Sequence, residues 1–293
     1  MQPVILFGSG GMLGTDLVAA WKKTRPGGPD ALPPLVEVAD WNVVEITDRR
    51  AVEAFIARHR PQWVINCAAY TDVDGCTRDP ELAMRVNGRA PGDIAAACAR
   101  VGAGMIHLST DFVFDGRSDR PYVEDDPVGP LSAYGESKLA GERAVRERLP
   151  RACIVRTAWL YGLAGRNFVA TMLRLARERE QLRVVNDQRG CPTYTADLAE
   201  AIIRLFRVRA EGIVHVVNAG DCTWYDLACT ALRLAGLSTP VLPITSAEFG
   251  SPTKRPAYSV LSTARYTALT GGRMRPWEEA LREFISLYKA GHP

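Results

Sequence analysis

Cysteine and histidine are too few and too scattered in this chain to build a shared site. The seven cysteines stand at 67, 76, 98, 153, 191, 222 and 229, an odd set without a C-x-x-C pair. That pattern excludes a disulfide framework and argues against a zinc site, so most are expected as small buried apolar groups. The four histidines, at 59, 107, 215 and 292, form no metal-like cluster. His107, within Met105-Ile106-His107-Leu108, reads as a strand residue with a local hydrogen-bond partner rather than a catalytic base. Neither sign of charge dominates, and a formal net charge of +3 is too small to call for nucleic acid. No apolar run approaches a membrane span, and the N-terminus has no basic region, long hydrophobic stretch or cleavage site. The expectation is a cytoplasmic protein with neither a nucleic-acid nor a membrane partner. No internal repeat or low-complexity segment is evident.

What the chain does have is enough length for a sizeable core, 293 residues of which 47% are hydrophobic and 24% charged. Its first strong feature is Val4-Ile-Leu-Phe-Gly-Ser-Gly-Gly-Met-Leu-Gly14, an apolar strand running into a glycine-rich turn and then a helix. Gly8 permits the tight exit from the strand. Gly11 lets the backbone approach a pyrophosphate, and Gly14 lets the helix pack close to the sheet. The helix N-terminus offers free N–H groups and a positive dipole end to phosphates. As a lone motif the G-x-x-G-x-x-G spacing is weak, and a turn that binds nothing would also satisfy it. Directly after an apolar N-terminal strand, it is read as a dinucleotide site.

Strand-like and helix-like segments alternate onward, which argues for βαβ units and a parallel sheet. Strands are expected at 4–7, 35–39, 63–67, 104–109 and 152–156, with helices at 13–23, 49–58, 81–101 (interrupted at Pro91) and 131–149. The breaker-rich stretch 26–34 is read as a surface loop. Further on, 168–179 and 195–207 read as helices, and 212–218 as a strand returning to the sheet. Thr223-Trp-Tyr-Asp226 resembles a capping box opening a helix over 224–235, with core packing favoured over a binding role for Trp224 and Tyr225. The rest reads as loop up to a closing helix over 277–288. The fold class is α/β, a Rossmann-type doubly wound parallel sheet with a smaller C-terminal substrate-binding domain. The division is 1–160 for the dinucleotide domain and 161–293 for the smaller, interleaved one.

Tyr134-Gly-Glu-Ser-Lys138 places a phenol and an ammonium on one helix face, one turn apart. A phenol is a poor acid at neutral pH, and a nearby ammonium favours its ionised form. Tyr134 is thus a candidate proton donor to a carbonyl oxygen, with Lys138 tuning it and holding the nicotinamide ribose. An exposed Tyr and Lys at helical spacing are common, and it is the dinucleotide motif upstream that favours chemistry. Ser109-Thr-Asp111 follows an apolar strand, where ligand crevices of parallel sheets lie. Thr110 can give a second hydrogen bond to the reacting oxygen and Asp111 can hold a neighbouring hydroxyl, unless the three close a turn among themselves.

Together Gly8-x-x-Gly11-x-x-Gly14, Asn66-Cys-Ala-Ala-Tyr-Thr71, Ser109-Thr-Asp-Phe-Val-Phe114, Tyr134-Gly-Glu-Ser-Lys138 and Arg156-Thr-Ala-Trp-Leu-Tyr161 follow the order of the extended short-chain dehydrogenase/reductases. More narrowly the chain resembles the dTDP-4-dehydrorhamnose reductase family, with Asn186-Asp-Gln-Arg-Gly-Cys-Pro-Thr193, Thr223-Trp-Tyr-Asp226 and Arg255-Pro256 extending the likeness. The resemblance implies NAD(P)H-dependent reduction of a 4-keto sugar nucleotide by a homodimer. It carries over Thr110, Tyr134 and Lys138 as the catalytic set, and Asp111 and Trp159 as substrate contacts. Gly11, Met12 and Leu13 match contacts to the cofactor phosphates, and Ala68, Ala69 and Tyr70 match the segment beside the adenosine and ribose. Arg255 either clamps a diphosphate or pairs with a local carboxylate. Trp159 either meets the sugar or is a core aromatic.

Asp40 either holds ribose hydroxyls or closes a strand-end turn. NADPH and NADH both stay open, with Arg49 and Arg50 in reach of a 2′-phosphate. Some members of the family bind Mg2+ through helix carboxylates, which Asp16 and Asp197 match here, although exposed helix acids are the plainer reading. The chain departs from the family at Val73-Asp-Gly-Cys-Thr77, where V-D-K-A-E is common. The alternatives are another epimerase or reductase of the superfamily, or a non-catalytic regulatory subunit on the same fold. A 4,6-dehydratase would want a second carboxyl group where Phe112 stands.

Overall fold

The computed structural model of the protein describes residues 2–24 and 31–291. Residues 26–30 of the anticipated loop, and His292, therefore lie outside the described residues. The first strands are β1 (Val4–Phe7), β2 (Leu35–Val38), β3 (Trp63–Asn66), β4 (Gly104–Thr110) and β5 (Cys153–Thr157). With the strand Gly212–His215 they form a six-stranded sheet in the order Gly212–His215, β5, β4, β3, β1, β2. Every pairing in it is parallel. The chain leaves β1 towards β2 on one side and returns to β3 on the other, which opens a crevice at the carboxyl ends of β1 and β3.

The helices of the first half are α1 (Met12–Lys23), α2 (Arg49–His59), α3 (Val73–Arg78), α4 (Pro80–Ala83), α5 (Ala90–Val101) and α6 (Ala133–Arg148). Because side chains alternate along a strand, β1 feeds two cores at once. Val4 and Leu6 meet Leu13 and Leu17 of α1 and Leu198 and Ile202 of the helix Thr195–Arg207. Ile5 and Phe7 meet Val52 and Ile56 of α2 together with Ile94 of α5 and Val145 of α6. A further core joins the helices Phe168–Glu178, Trp224–Ala235 and Trp277–Gly291 through Leu173, Leu232 and Phe284. No helix among the described residues is long and apolar enough to cross a membrane.

Where sequence and structure differ, the causes are local. The 81–101 segment does not break at Pro91, which sits at the start of α5 directly after residues that are already helical, so the helix runs on through it. The irregularity is instead a π-helical stretch, Met84–Arg89. The region read as loop holds the strand Val241–Ile244, paired in parallel with Leu182–Val185. Pro243 inside it hid the strand, since proline cannot donate to the ladder.

Candidate active site

A cavity of about 1260 Å³ opens at the crevice and runs from the β1 turn to the helices of the C-terminal half. At the β1 end, Gly8 takes a φ of +78°, and a Cβ there would stand 2.7 Å from the Ala68 backbone nitrogen. A Cβ on Gly14 would strike the Gly8 carbonyl oxygen and come within 2.7 Å of Ser9 Cα. Gly11 caps α1 without any side-chain hydrogen bond, and the first turn carries no acidic residue. Met12 and Leu13 at the start of the helix line the cavity. An uncapped helix N-terminus over glycines that admit no side chain fits the pyrophosphate of a dinucleotide.

Asp40 lies two residues beyond β2, on the cavity wall, and its Oδ1 accepts the Asn42 N–H at 2.9 Å. The turn-closing and cavity-facing readings of Asp40 thus coincide. Arg49 is absent from this wall and pairs with Glu53 at 2.6 Å. Ala68, Ala69 and Tyr70 line the cavity after β3. Asn87 in the π-helical stretch holds this loop, accepting the Tyr70 N–H at 2.8 Å and donating to the Tyr70 carbonyl at 2.9 Å. It also reaches Ser137 Oγ of α6 at 3.2 Å. Sequence reading missed Asn87, whose only signal is a helix distortion that appears once the backbone is folded.

Ser132 caps α6 by accepting the Gly135 N–H at 3.3 Å, so the helix starts with Tyr134 in its first turn at the end of β4. Lys138 is buried and donates to the Leu108 carbonyl at 2.6 Å, and loss of solvent lowers its ammonium to about 8. Burial pushes the Tyr134 phenol up, and the Thr110 hydroxyl, rather than Lys138, opposes that rise. The Phe112 ring meets the Tyr134 ring edge-on at 5.5 Å. Thr110 Oγ1 donates to Asp111 Oδ1 at 3.0 Å and accepts the Phe112 N–H at 3.2 Å. Buried Asp111 is lifted to about 6 by desolvation, against the pull of Ser259 and Thr110, and its Oδ2 has no hydrogen-bond partner. The S-T-D segment therefore closes a turn and still leaves a buried acceptor on the cavity wall. His107 stays neutral inside β4, its Nδ1 3.2 Å from Asn66 Nδ2, as a strand residue would.

At the far end Trp159 adopts a left-handed φ of +49° and stacks on Trp224, with ring centroids 3.6 Å apart and planes 7° from parallel. Gly190 makes room, since a Cβ there would stand 2.6 Å from the Trp159 ring. Both indoles line the cavity and also pack against the C-terminal core, so Trp224 joins the core and the cavity wall. Its Nε1 donates to Gln188 Oε1 at 3.2 Å. Arg255 also lines the cavity, with Nη2 3.1 Å from Asp74 Oδ1 and Nη1 on the Ser251 hydroxyl. Wall position and local ion pair are again both present.

The two helix acids do not fit a magnesium site. Asp197 is held by Arg275 at 2.8 Å and by Asn218 Nδ2 at 2.7 Å, while Asp16 accepts the Thr195 hydroxyl. Among the described residues no group of three His, Cys, Asp or Glu could hold a metal ion. The seven cysteines are all unpaired.

Comparison with known proteins agrees with this geometry. The dTDP-4-dehydrorhamnose reductase of Streptomyces griseus is 48% identical over 259 residues, covering 85% of each chain. The crystal structure of such a reductase from Clostridium acetobutylicum superposes with a TM-score of 0.92 at 40% identity, covering 98% of this chain and 99% of that one. One from Bacillus anthracis, in complex with NADP, gives 0.91 at 37% identity over 98% and 99%. The RmlD substrate binding domain model matches residues 1–290, and the chain belongs to that family, the family of the dTDP-4-dehydrorhamnose reductases.

Proposed function

We propose that this protein uses NADPH or NADH to reduce the C4 keto group of dTDP-4-dehydro-L-rhamnose, giving dTDP-L-rhamnose for nucleotide-sugar and polysaccharide biosynthesis. The observation that carries the reading is the meeting of Thr110, Tyr134 and Lys138 with the glycine cradle in one cavity. Gly8, Gly11, Met12, Leu13 and Gly14 would hold the cofactor pyrophosphate, Asp40 its adenosine ribose, and Ala68, Ala69 and Tyr70 the adenosine side of the groove. The reduced nicotinamide, when bound, supplies the hydride.

The residues of the chain manage the proton and the orientation. Tyr134 hydrogen-bonds the carbonyl oxygen and delivers its phenolic proton as negative charge develops there. The Lys138 ammonium stabilises the phenolate left behind and would also reach the nicotinamide ribose. Thr110 gives the second hydrogen bond to the same oxygen. The unpartnered Asp111 Oδ2 suits a neighbouring sugar hydroxyl. The Trp159 and Trp224 wall packs the apolar face of a deoxy sugar, and Arg255 exchanges Asp74 for the diphosphate. Residues 1–160 are assigned to the dinucleotide part and 161–293 to the sugar-nucleotide part. A cytoplasmic homodimer completes the proposal, on the strength of the family resemblance.

The test is incubation of purified protein with dTDP-4-dehydro-L-rhamnose and either cofactor, followed by NMR of the sugar nucleotide. Formation of dTDP-L-rhamnose sustains the reading. No consumption of either cofactor, combined with tight binding to another enzyme, would favour the regulatory subunit instead.

A further inference from the structure

Tyr134, Lys138 and Glu142 recur at every fourth position of α6, and so share one helix face against the end of β4. Each meets one of three consecutive β4 residues. Lys138 donates to the Leu108 carbonyl at 2.6 Å, Ser109 Oγ donates to Glu142 Oε1 at 2.5 Å, and the Thr110 hydroxyl acts on Tyr134. Glu142 is closed on its other side by Arg156 of β5, with Nε 2.9 Å from Oε1 and Nη2 2.8 Å from Oε2. The two side chains are 2% and 3% exposed. Taking such a pair out of water is costly, and apolar residues of similar volume would join α6 to β5 at least as well. Arg156 also donates to the Glu124 carbonyl at 3.4 Å and lies 5.1 Å from the Phe114 ring centroid, whereas Glu142 carries its charge one helical turn from Lys138.

We propose that Glu142, held by Arg156 and Ser109, is a positioning residue for the reduction: its carboxylate keeps the neighbouring Lys138 ammonium charged within a buried site. This rests on the reaction proposed above. The groups that face Lys138 come from four elements and one loop. Cys67 follows β3 and Cys76 lies on α3, both thiols raised by burial, to about 12 and about 11, and so neutral near pH 7. His107 of β4 is held neutral, Tyr134 is an un-ionised phenol, and Arg156 of β5 is cationic and already engaged by Glu142. Among the described residues Glu142 is the one carboxylate acting on Lys138, and it opposes the desolvation that lowers the ammonium to about 8.

The test is Glu142→Gln, which keeps the volume and can still hydrogen-bond Ser109 and Arg156. The pH dependence of kcat/KM for keto-sugar reduction is measured beside the wild type, with thermal unfolding as the control on folding. The falling alkaline limb should move down by about one pH unit. The variant would then run near the wild-type rate at about pH 6 and at about one fifth of it at about pH 8. A uniform loss with the limb in its wild-type place would overturn the proposal. If Glu142→Gln does not fold, Glu142→Gln combined with Arg156→Met removes the stranded cation, and a downward shift is still expected, smaller because a cation has gone as well. Failure of both to fold would assign the pair to the scaffold alone and overturn the proposal as well. A wild type without any falling limb would strike first at the role given to Lys138.

Discussion

Replacing Asp111 with Asn separates what the buried carboxyl does for folding from what it does in the cavity. Burial raises this group from 3.8 to about 6, so the folded chain binds the proton more tightly than the unfolded chain. Its contribution to stability is therefore most favourable below pH 3.8, falls as pH rises through 3.8 to about 6, and stays unfavourable above. At roughly 1.4 kcal/mol per pH unit the handicap at neutral pH is about 3 kcal/mol. Asn does not titrate and escapes it. The Asn amide would stand where Oδ2 has no partner, which returns about 1 kcal/mol. The variant should gain about 2 kcal/mol at about pH 8, or roughly 4–6 °C in Tm, and lose about 0.5 kcal/mol at about pH 4, where the wild-type handicap has nearly gone. Calorimetric unfolding of the ligand-free protein at both pH values reads this directly. Turnover should fall about 10- to 100-fold, since a charge-assisted acceptor for a sugar hydroxyl is lost. A pH-independent difference in Tm, or none at about pH 8, would refute the reasoning.

Four further outcomes are expected. Reduction by the wild type should decline as pH rises through about 8, where Lys138 loses its proton, and a pH–rate profile checks this. Gly14→Ala forces a methyl against the Gly8 carbonyl and Ser9, so cofactor affinity in a fluorescence titration should drop at least about tenfold and stability by about 1–3 kcal/mol. Trp224→Ala removes half of an indole stack on the cavity wall, and KM for the sugar nucleotide should rise about tenfold with little change in cofactor affinity. Prolonged treatment with EDTA should leave activity and Tm unchanged, because Asp197 is already neutralised by Arg275.

What the residues disclosed in advance was whatever depends on near neighbours along the chain. The glycines at 8, 11 and 14 announce a turn in which Gly8 and Gly14 admit no side chain but hydrogen. Thr223 and Asp226 form the anticipated capping box, and Thr195–Arg207 is the helix its apolar periodicity promised. What stayed hidden depends on partners far apart in sequence. Asn87 acquires its role by clasping Tyr70 and touching Ser137 from within a π-helical stretch. Arg255 finds Asp74 across 181 residues. Trp224 faces the cavity only because Trp159, in a left-handed conformation, offers it a flat ring. Arg156 opens a motif and Glu142 lies four residues beyond another, but neither motif reveals that the two form one buried pair.

The most direct test of the central claim compares the wild type with Tyr134→Phe in the reduction of dTDP-4-dehydro-L-rhamnose, following the absorbance of the reduced cofactor. Only the phenolic hydroxyl is removed, so Tm should stay near the wild-type value while kcat falls by about 100-fold or more. Near-normal turnover by the phenylalanine variant would contradict the role of Tyr134 as proton donor.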